Sequence, residues 1–212
     1  MNCNVIATGS KGNAVLLGGM ILLDCGVPYK KIEPYVRDLR LVLLTHIHGD
    51  HFHPATIHRI HRERPSVRFG CPEWLVQPLI TAGIPARKID VYSMDATYPY
   101  SGSKVLVEPF PLVHDVSNCG YKICIGIERA LYATDTLTLD GVTANGFELY
   151  MIEANHTEAG MMERIKRKAE AGEFIYEYRA AANHLSREAA DAWLAWNAGP
   201  NSKVVYLHQH TD

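Results

Sequence analysis

Leu41-Val42-Leu43-Leu44-Thr45 leads without a break into His46-Ile47-His48-Gly49-Asp50-His51. A continuous apolar run of that length suits a strand buried on both faces. Three imidazoles and a carboxylate then share one short loop at the strand's exit. Nitrogen and oxygen donors gathered so closely suit a borderline cation such as Zn²⁺. Clustered histidines without a partner are costly near neutral pH, so a chance polar loop accounts poorly for the segment. The fold has to be one that builds a site at the ends of strands.

The 212 residues are 47% hydrophobic and 21% charged, enough apolar material for one globular domain over 1–212 and too little charge for disorder. A formal charge of -2 excludes a dominant nucleic-acid-binding field and leaves only local basic patches. Five cysteines (Cys3, Cys25, Cys71, Cys119 and Cys124) form no C-x-x-C pair, which argues against a structural zinc module. An odd count also favours a reducing compartment over a disulfide framework. The opening MNCNVIATGSKGN lacks the basic and apolar regions of a signal peptide, so a cytoplasmic location is expected. Apolar runs are strand-sized, far short of the roughly 20 residues a membrane helix needs, and no membrane association is expected. A homodimer is compatible with the sequence.

Short strands divided by glycine turns are predicted at Asn4–Thr8, Ala14–Leu17 and Met20–Leu23, with Gly18-Gly19 as a hairpin turn. Further strands are expected at Val67–Gly70, Val105–Phe110, Tyr121–Ile127, Ala130–Ala133, Glu148–Ile152 and Val204–Leu207. Helices are expected from Pro54, over Pro72–Ala82, from Glu158 to about Gly172, and after the N-cap Ser186. Met161, Met162, Ile165 and Ala169 recur at helical spacing opposite Arg164, Lys166, Arg167 and Lys168. Strands and helices interleave in two halves, with a join near Ser101 to Val107. The expected class is α/β, two mixed sheets packed face to face with helices outside.

H-x-H-x-D-H after a buried strand resembles the metal loop of metallo-β-lactamase-fold hydrolases, and other motifs of that family follow in order. Leu22-Leu23-Asp24-Cys25-Gly26 resembles the strand-ending aspartate that supports the metal loop. Gly9-Ser10-Lys11-Gly12-Asn13 resembles the G-S-x-G-N turn of one branch. Leu112-Val113-His114-Asp115, Tyr132-Ala133-Thr134-Asp135-Thr136 and Val204-Val205-Tyr206-Leu207-His208 resemble the later ligand motifs. Alone, each of these is weak; His114 by itself also reads as a structural histidine. The resemblance implies a four-layer αβ/βα sandwich with two divalent cations. His46, His48 and His114 would hold the first, Asp50, His51 and His208 the second, with Asp135 between them. Zinc suits these donors best, and manganese remains open. A hydroxide shared by the two cations would be the nucleophile, with Asp50 among the catalytic residues.

Ile152-Glu153-Ala154-Asn155-His156 and Asn183-His184-Leu185-Ser186 resemble segments of the YycJ/WalJ-like small hydrolases and of transfer-RNA 3′-processing endonucleases. By that resemblance Glu153 orients His184, and His184 protonates the leaving oxygen. Each also reads as something plainer, a surface acid and a helix-terminus histidine. The implied reaction is phosphodiester cleavage, with DNA, RNA or a small phosphodiester as substrate. Cyclic-phosphate hydrolysis of the PhnP type, thioester or lactone hydrolysis, and a non-catalytic metal-binding role stay open. The chain departs from the branch at Asn183, where glycine is usual, and at Asn155-His156-Thr157, where aspartate is usual. Asp212 follows soon after His208, so His208 is expected to fray, and His210 offers an alternative last ligand.

Other polar and aromatic residues have plainer readings. His53 suits a helix cap, and His58 and His61 with Arg59, Arg62 and Arg64 suit a solvated basic face. Phe174, Tyr176 and Tyr178 read as packing rather than as a base-stacking platform.

Overall fold

The computed structural model describes residues 1–100 and 104–209. Twelve strands are found among them, in two sheets of six. The first sheet runs β1 (Cys3–Ala7), β2 (Ala14–Leu17), β3 (Ile21–Leu23), β4 (Leu41–Leu43), β5 (Arg68–Pro72), β6 (Ile89–Tyr92). The second holds β7 (Tyr98–Tyr100), β8 (Val105–Leu112), β9 (Asn118–Ile125), β10 (Glu128–Ala133), β11 (Leu149–Glu153) and β12 (Lys203–Leu207). The helices are α1 (Tyr29–Ile32), α2 (Pro54–Glu63), α3 (Val76–Thr81), α4 (Glu158–Ala171), α5 (Glu177–Asn183) and α6 (Arg187–Asn197). Both sheets are mixed: β3 to β6 pair in parallel beside an antiparallel β1–β3 meander, and β10 to β12 pair in parallel beside antiparallel β7–β10.

Alternation along the central strands explains the layering. Val42 and Leu44 face a helix-side core with Ile57 and Ile60 of α2, whereas Leu41 and Leu43 face a second core. That second core lies between the sheets, where Val15, Leu17 and Leu23 meet Val107, Tyr121, Tyr132 and Met151. A third core joins Leu131, Tyr150 and Ile152 to Ala190 and Leu194 of α6. Because β4 feeds cores on both faces, its apolar run is unbroken. The two-sheet sandwich with outer helices is the arrangement expected from the sequence.

Local details differ from expectation in several places. The halves meet between Tyr92 and Tyr98, ahead of the anticipated join, because the short strands β6 and β7 carry weak alternation; Ser101, Gly102 and Ser103 lie outside the described residues. Among the apolar residues of α4, Met161 is buried while Met162 is 66% exposed, so that helix rests on the body by a narrow edge. Helix α5 has no side-chain N-cap and was not expected at all. Phe174 and Tyr178, read as packing residues, are 87% and 62% exposed. The segment that carries them has no core beneath it to receive the rings. His53 does cap α2, its ring accepting from the Thr56 N–H.

Leu43 is fully buried between the sheets. Leu43→Ala is expected to destabilise the protein by about 2–5 kcal/mol through lost burial and a residual cavity. Urea unfolding checks it; a loss below about 1 kcal/mol would mean that the sheets do not pack across this strand.

Candidate metal centre

Every parallel strand next to the centre ends on a polar side chain. Asp24 follows β3, Thr45 and His46 lie just beyond β4, Asp135 lies beyond β10, Glu153 ends β11, and His208 follows β12. The carboxyl ends of strands in open α/β sheets are where ligands collect. Three of these residues have left-handed backbones: Asp24 (φ 56°), Asp135 (φ 54°) and His208 (φ 52°). Asp and His tolerate that conformation better than most residues, and here it turns the chain sharply as it leaves the sheet.

The loop after β4 is clamped from two sides. Asp24 N–H donates to Leu43 C=O at 2.8 Å, Cys25 N–H to His51 C=O at 2.9 Å, and His53 N–H to Cys25 C=O at 2.9 Å. Asn13 N–H donates to Asp50 C=O at 2.6 Å, and its side-chain amide reaches Asp50 Oδ2 at 3.2 Å. Gly26 has to be glycine, since a Cβ there would lie 1.7 Å from the Asp50 carbonyl oxygen. The Gly9–Asn13 turn and the Asp24–Gly26 turn thus fix the loop before any ligand arrives.

All seven residues expected to hold cations come together. His46, His48 and His114 form one group whose donor atoms lie within 4.8 Å of each other, and Asp50, His51 and His208 form a second. Asp135 joins His46 and His51 in a third such group, and sits with Glu153, His184 and His208 in a fourth. The outer ring nitrogens are engaged: His51 Nδ1 donates to Asp24 at 2.7 Å, His46 Nδ1 meets Thr45 Oγ1 at 2.9 Å, and His114 Nδ1 meets Asn183 C=O at 3.3 Å. That fixes each tautomer and leaves Nε2 pointing inward as a base, the usual arrangement of a metal-binding histidine.

Among the described residues, three of the inward atoms lack hydrogen-bond partners, whereas His51 Nε2 meets Asn13 Nδ2 at 2.7 Å and His114 Nε2 meets His48 Nδ1 at 3.3 Å. His46 Nε2, His208 Nε2 and Asp135 Oδ2 are buried and unsatisfied, although Asp135 Oδ2 lies 2.5 Å from His51 Nε2 without the alignment of a hydrogen bond. Buried polar atoms are rarely left so, and several converging on one point are what a cation would satisfy. The residues fit divalent metal ions, and the cluster is able to bind them.

Charge points the same way. Burial pushes His51 down, but Asp135 and Asp24 outweigh it and hold its pKa well above the ordinary value. His208 is likewise pushed down by burial and lifted overall, to about 10, by Asp50 and Glu153. His46 goes the other way, to about 2, through burial and the neighbouring His51. Without a cation, the carboxylates draw their compensating charge from protons on His51 and His208.

His208 is buried, and its N–H donates to Thr8 Oγ1 at 2.6 Å. That contact ties His208 to the first strand's exit, an anchor the sequence did not reveal when fraying was expected there; His210 lies outside the described residues. Asp115 and Arg179 were not anticipated as site residues. Asp115 Oδ1 lies 3.2 Å from His114 Nε2 and 3.4 Å from His48 Nε2, and its Oδ2 accepts from Arg179 at 2.6 Å. Asp115 directly follows a candidate ligand, a signal that was available; Arg179 stands on the unanticipated α5. A cavity of about 490 Å³ opens over the cluster, walled on one side by Ser10 and on the other by Tyr176, Arg179 and His184.

A family model described as the beta-lactamase superfamily domain matches residues 20–212. Among solved structures, the metallo-beta-lactamase fold protein YhfI from Bacillus subtilis is 17% identical, with a TM-score of 0.72 over 99% of this chain and 86% of that one. The short form of human tRNase Z is 16% identical, with a TM-score of 0.69 over 99% and 92%. A diphosphatase from the PhnP family is 12% identical, with a TM-score of 0.65 over 98% and 85%. These likenesses show the fold. The chain matches no curated protein sequence at significant similarity.

Two outcomes are expected. Asp24→Asn, which keeps the shape of Asp24 but removes the charge behind His51, is expected to weaken metal binding by about 10–100-fold; unchanged affinity by competition with a chelator would remove Asp24 from the site. Metal and protons compete for His51 and His208, so uptake at neutral pH is expected to release on the order of two protons, and affinity to rise with pH. Calorimetry in buffers of different ionisation enthalpy reads that number directly. Release near zero would show that the cation binds elsewhere.

Proposed function

The chain belongs to the beta-lactamase superfamily, and from that premise we propose that it is a hydrolase of phosphodiesters working with two divalent cations. Zinc is the preferred pair and manganese the alternative, given a donor set of imidazoles and carboxylates. DNA or RNA is the preferred substrate class. When bound, such cations activate a water and neutralise charge on the phosphate oxygens. His46, His48 and His114 would hold one, and Asp50, His51 and His208 the other, with Asp135 reaching both groups.

One observation carries this reading: a hydrogen-bonded acid and imidazole stand beside the metal cluster. His184 Nδ1 donates to Glu153 Oε1 at 2.6 Å. Glu153 is wholly buried, and its other oxygen accepts from the N–H groups of Thr136 at 2.9 Å and Leu185 at 3.3 Å. That carboxylate cannot swing away, so the ring it holds is fixed in tautomer and direction. Nε2 is left for the cavity that His184 lines. Burial lowers the His184 pKa, yet the hydrogen bond and charge of Glu153 outweigh burial and raise it overall. A protonated imidazole at the rim can hand a proton to a departing alkoxide, which leaves poorly without one. A thioester loses a thiolate, which needs no such help, so this pair favours oxygen leaving groups.

The likenesses to a tRNase Z and to a PhnP-family diphosphatase agree with phosphoryl substrates. Fold alone does not set chemistry, and the weight rests on Glu153 and His184.

Turnover of bis(p-nitrophenyl) phosphate with added Zn²⁺ or Mn²⁺ is expected to exceed that of a thioester, and to vanish with chelator. His184→Ala is expected to lower turnover of unactivated oligonucleotides by about 10²–10⁴-fold. Glu153→Gln removes what raises the His184 pKa, so the alkaline limb of the pH profile should move to lower pH. Oligonucleotide cleavage that survives His184→Ala unchanged would overturn the assignment. Opening of a cyclic nucleotide with no strand shortened would move the substrate to small phosphodiesters.

A further inference from the structure

Beyond Ser10 the metal cavity continues into a second, polar cavity of about 210 Å³, lined by Thr8, Gly9, Lys11 and Gln209. The two share Ser10, Asn155 and His208, so they form one cleft with the metal cluster at the junction. A long enough substrate with its reacting group on the cluster has room to reach into both arms.

The second arm presents hydrogen-bond donors and a cation. The Gly9–Asn13 turn closes with Gly12 N–H donating to Gly9 C=O at 2.9 Å, while the Asn13 side chain accepts from Gly9 N–H at 2.9 Å and grips Asp50. Among the described residues, no protein group accepts from the backbone N–H of Ser10 or Lys11, and no carboxylate pairs with the Lys11 ammonium. Apart from histidine, the cations lining the cleft among the described residues are Arg179 and Lys11. Arg179 is already spent on Asp115 at 2.6 Å. Among the described residues Lys11 is the cation of the cleft without a carboxylate partner, and it stands on a turn tied to the metal loop.

We propose that this second arm binds a further phosphate of the substrate, next to the one held at the cluster, with Lys11 as its counter-ion. The proposal rests on the phosphodiesterase reading and deepens it. Within the phosphodiester classes proposed above, a substrate with two neighbouring phosphates is a polynucleotide or its phosphorylated end, whereas a cyclic phosphodiester leaves Lys11 without a partner. Lys11 is exposed, so replacing its side chain does not threaten the fold.

Binding to the metal-loaded protein tests this without turnover. Thymidine 3′,5′-bisphosphate is compared by calorimetry with thymidine 5′-monophosphate and thymidine 3′-monophosphate. The bisphosphate is expected to bind at least about tenfold tighter than either, since one charge-assisted contact is worth roughly that factor. Lys11→Gln is expected to abolish the advantage and Lys11→Arg to keep it. A methyl ester on the second phosphate separates the sources: retained advantage means an internal linkage, and an advantage confined to the free phosphate means a strand end. Equal binding of mono- and bisphosphate, or an advantage that persists in Lys11→Gln, overturns the proposal. If the Lys11-dependent advantage is present but no phosphodiester is cleaved, the hydrolase reading fails and the binding site stands.

Discussion

A single buried carboxylate organises the centre. Asp24 is fully buried at the end of β3 and accepts from Thr45 N–H at 3.0 Å, Thr45 Oγ1 at 2.9 Å, His51 Nδ1 at 2.7 Å and Tyr132 Oη at 2.8 Å. A charge taken out of water is tolerable only when so surrounded, and removing one partner leaves it uncompensated. The four contacts therefore hold together or fail together. Thr45 and His51 belong to the metal loop on the first sheet, and Tyr132 to β10 on the second. The same oxygen atoms that orient a ligand also pin the two sheets at the end where the site must form. Stability of the sandwich and geometry of the centre are in this respect one problem.

That coupling explains why so much of the centre could be read from the chain. Residues that must end a strand and carry a donor leave local marks: LVLLT before His46, YATDT around Asp135, VVYLH before His208. Each mark is a short apolar run followed by a polar residue, and the fold brings all of these ends to one side. The pairing of Glu153 with His184 was also legible, because each lies in a recognisable segment. Contacts across long sequence distances were not legible. Nothing in the surroundings of Tyr132 says that its hydroxyl meets a carboxylate 108 residues away. Arg179 escaped notice for a different reason. Helix α5 is short, has no side-chain cap, and holds few apolar residues in helical register, so its packing against the site decides its shape. The exposure of Phe174 and Tyr178 follows from the same weakness: composition says aromatic, and only the fold says that there is no core to enter.

Glu153 is shared, and the sharing separates ligand from acid. Its Oε1 lies 2.6 Å from His184 Nδ1 and 3.4 Å from His208 Nδ1, and the two rings stack 5.1 Å apart with an angle of 10°. Two imidazolium rings stacked that closely would repel each other, so one carboxylate cannot serve both at full charge. Were His208 Nε2 to hold a cation, it could no longer carry a proton there, and the competition for Glu153 would be settled. The carboxylate's charge would then be left to His184, and in the proposed reaction the ring facing the cavity would carry the proton. Asn155 steadies His208 through its backbone, its side-chain NH2 donating to the His208 carbonyl at 3.1 Å. On the proposed function, His208 would hold a cation in place and His184 would move a proton, two roles for side chains of identical chemistry.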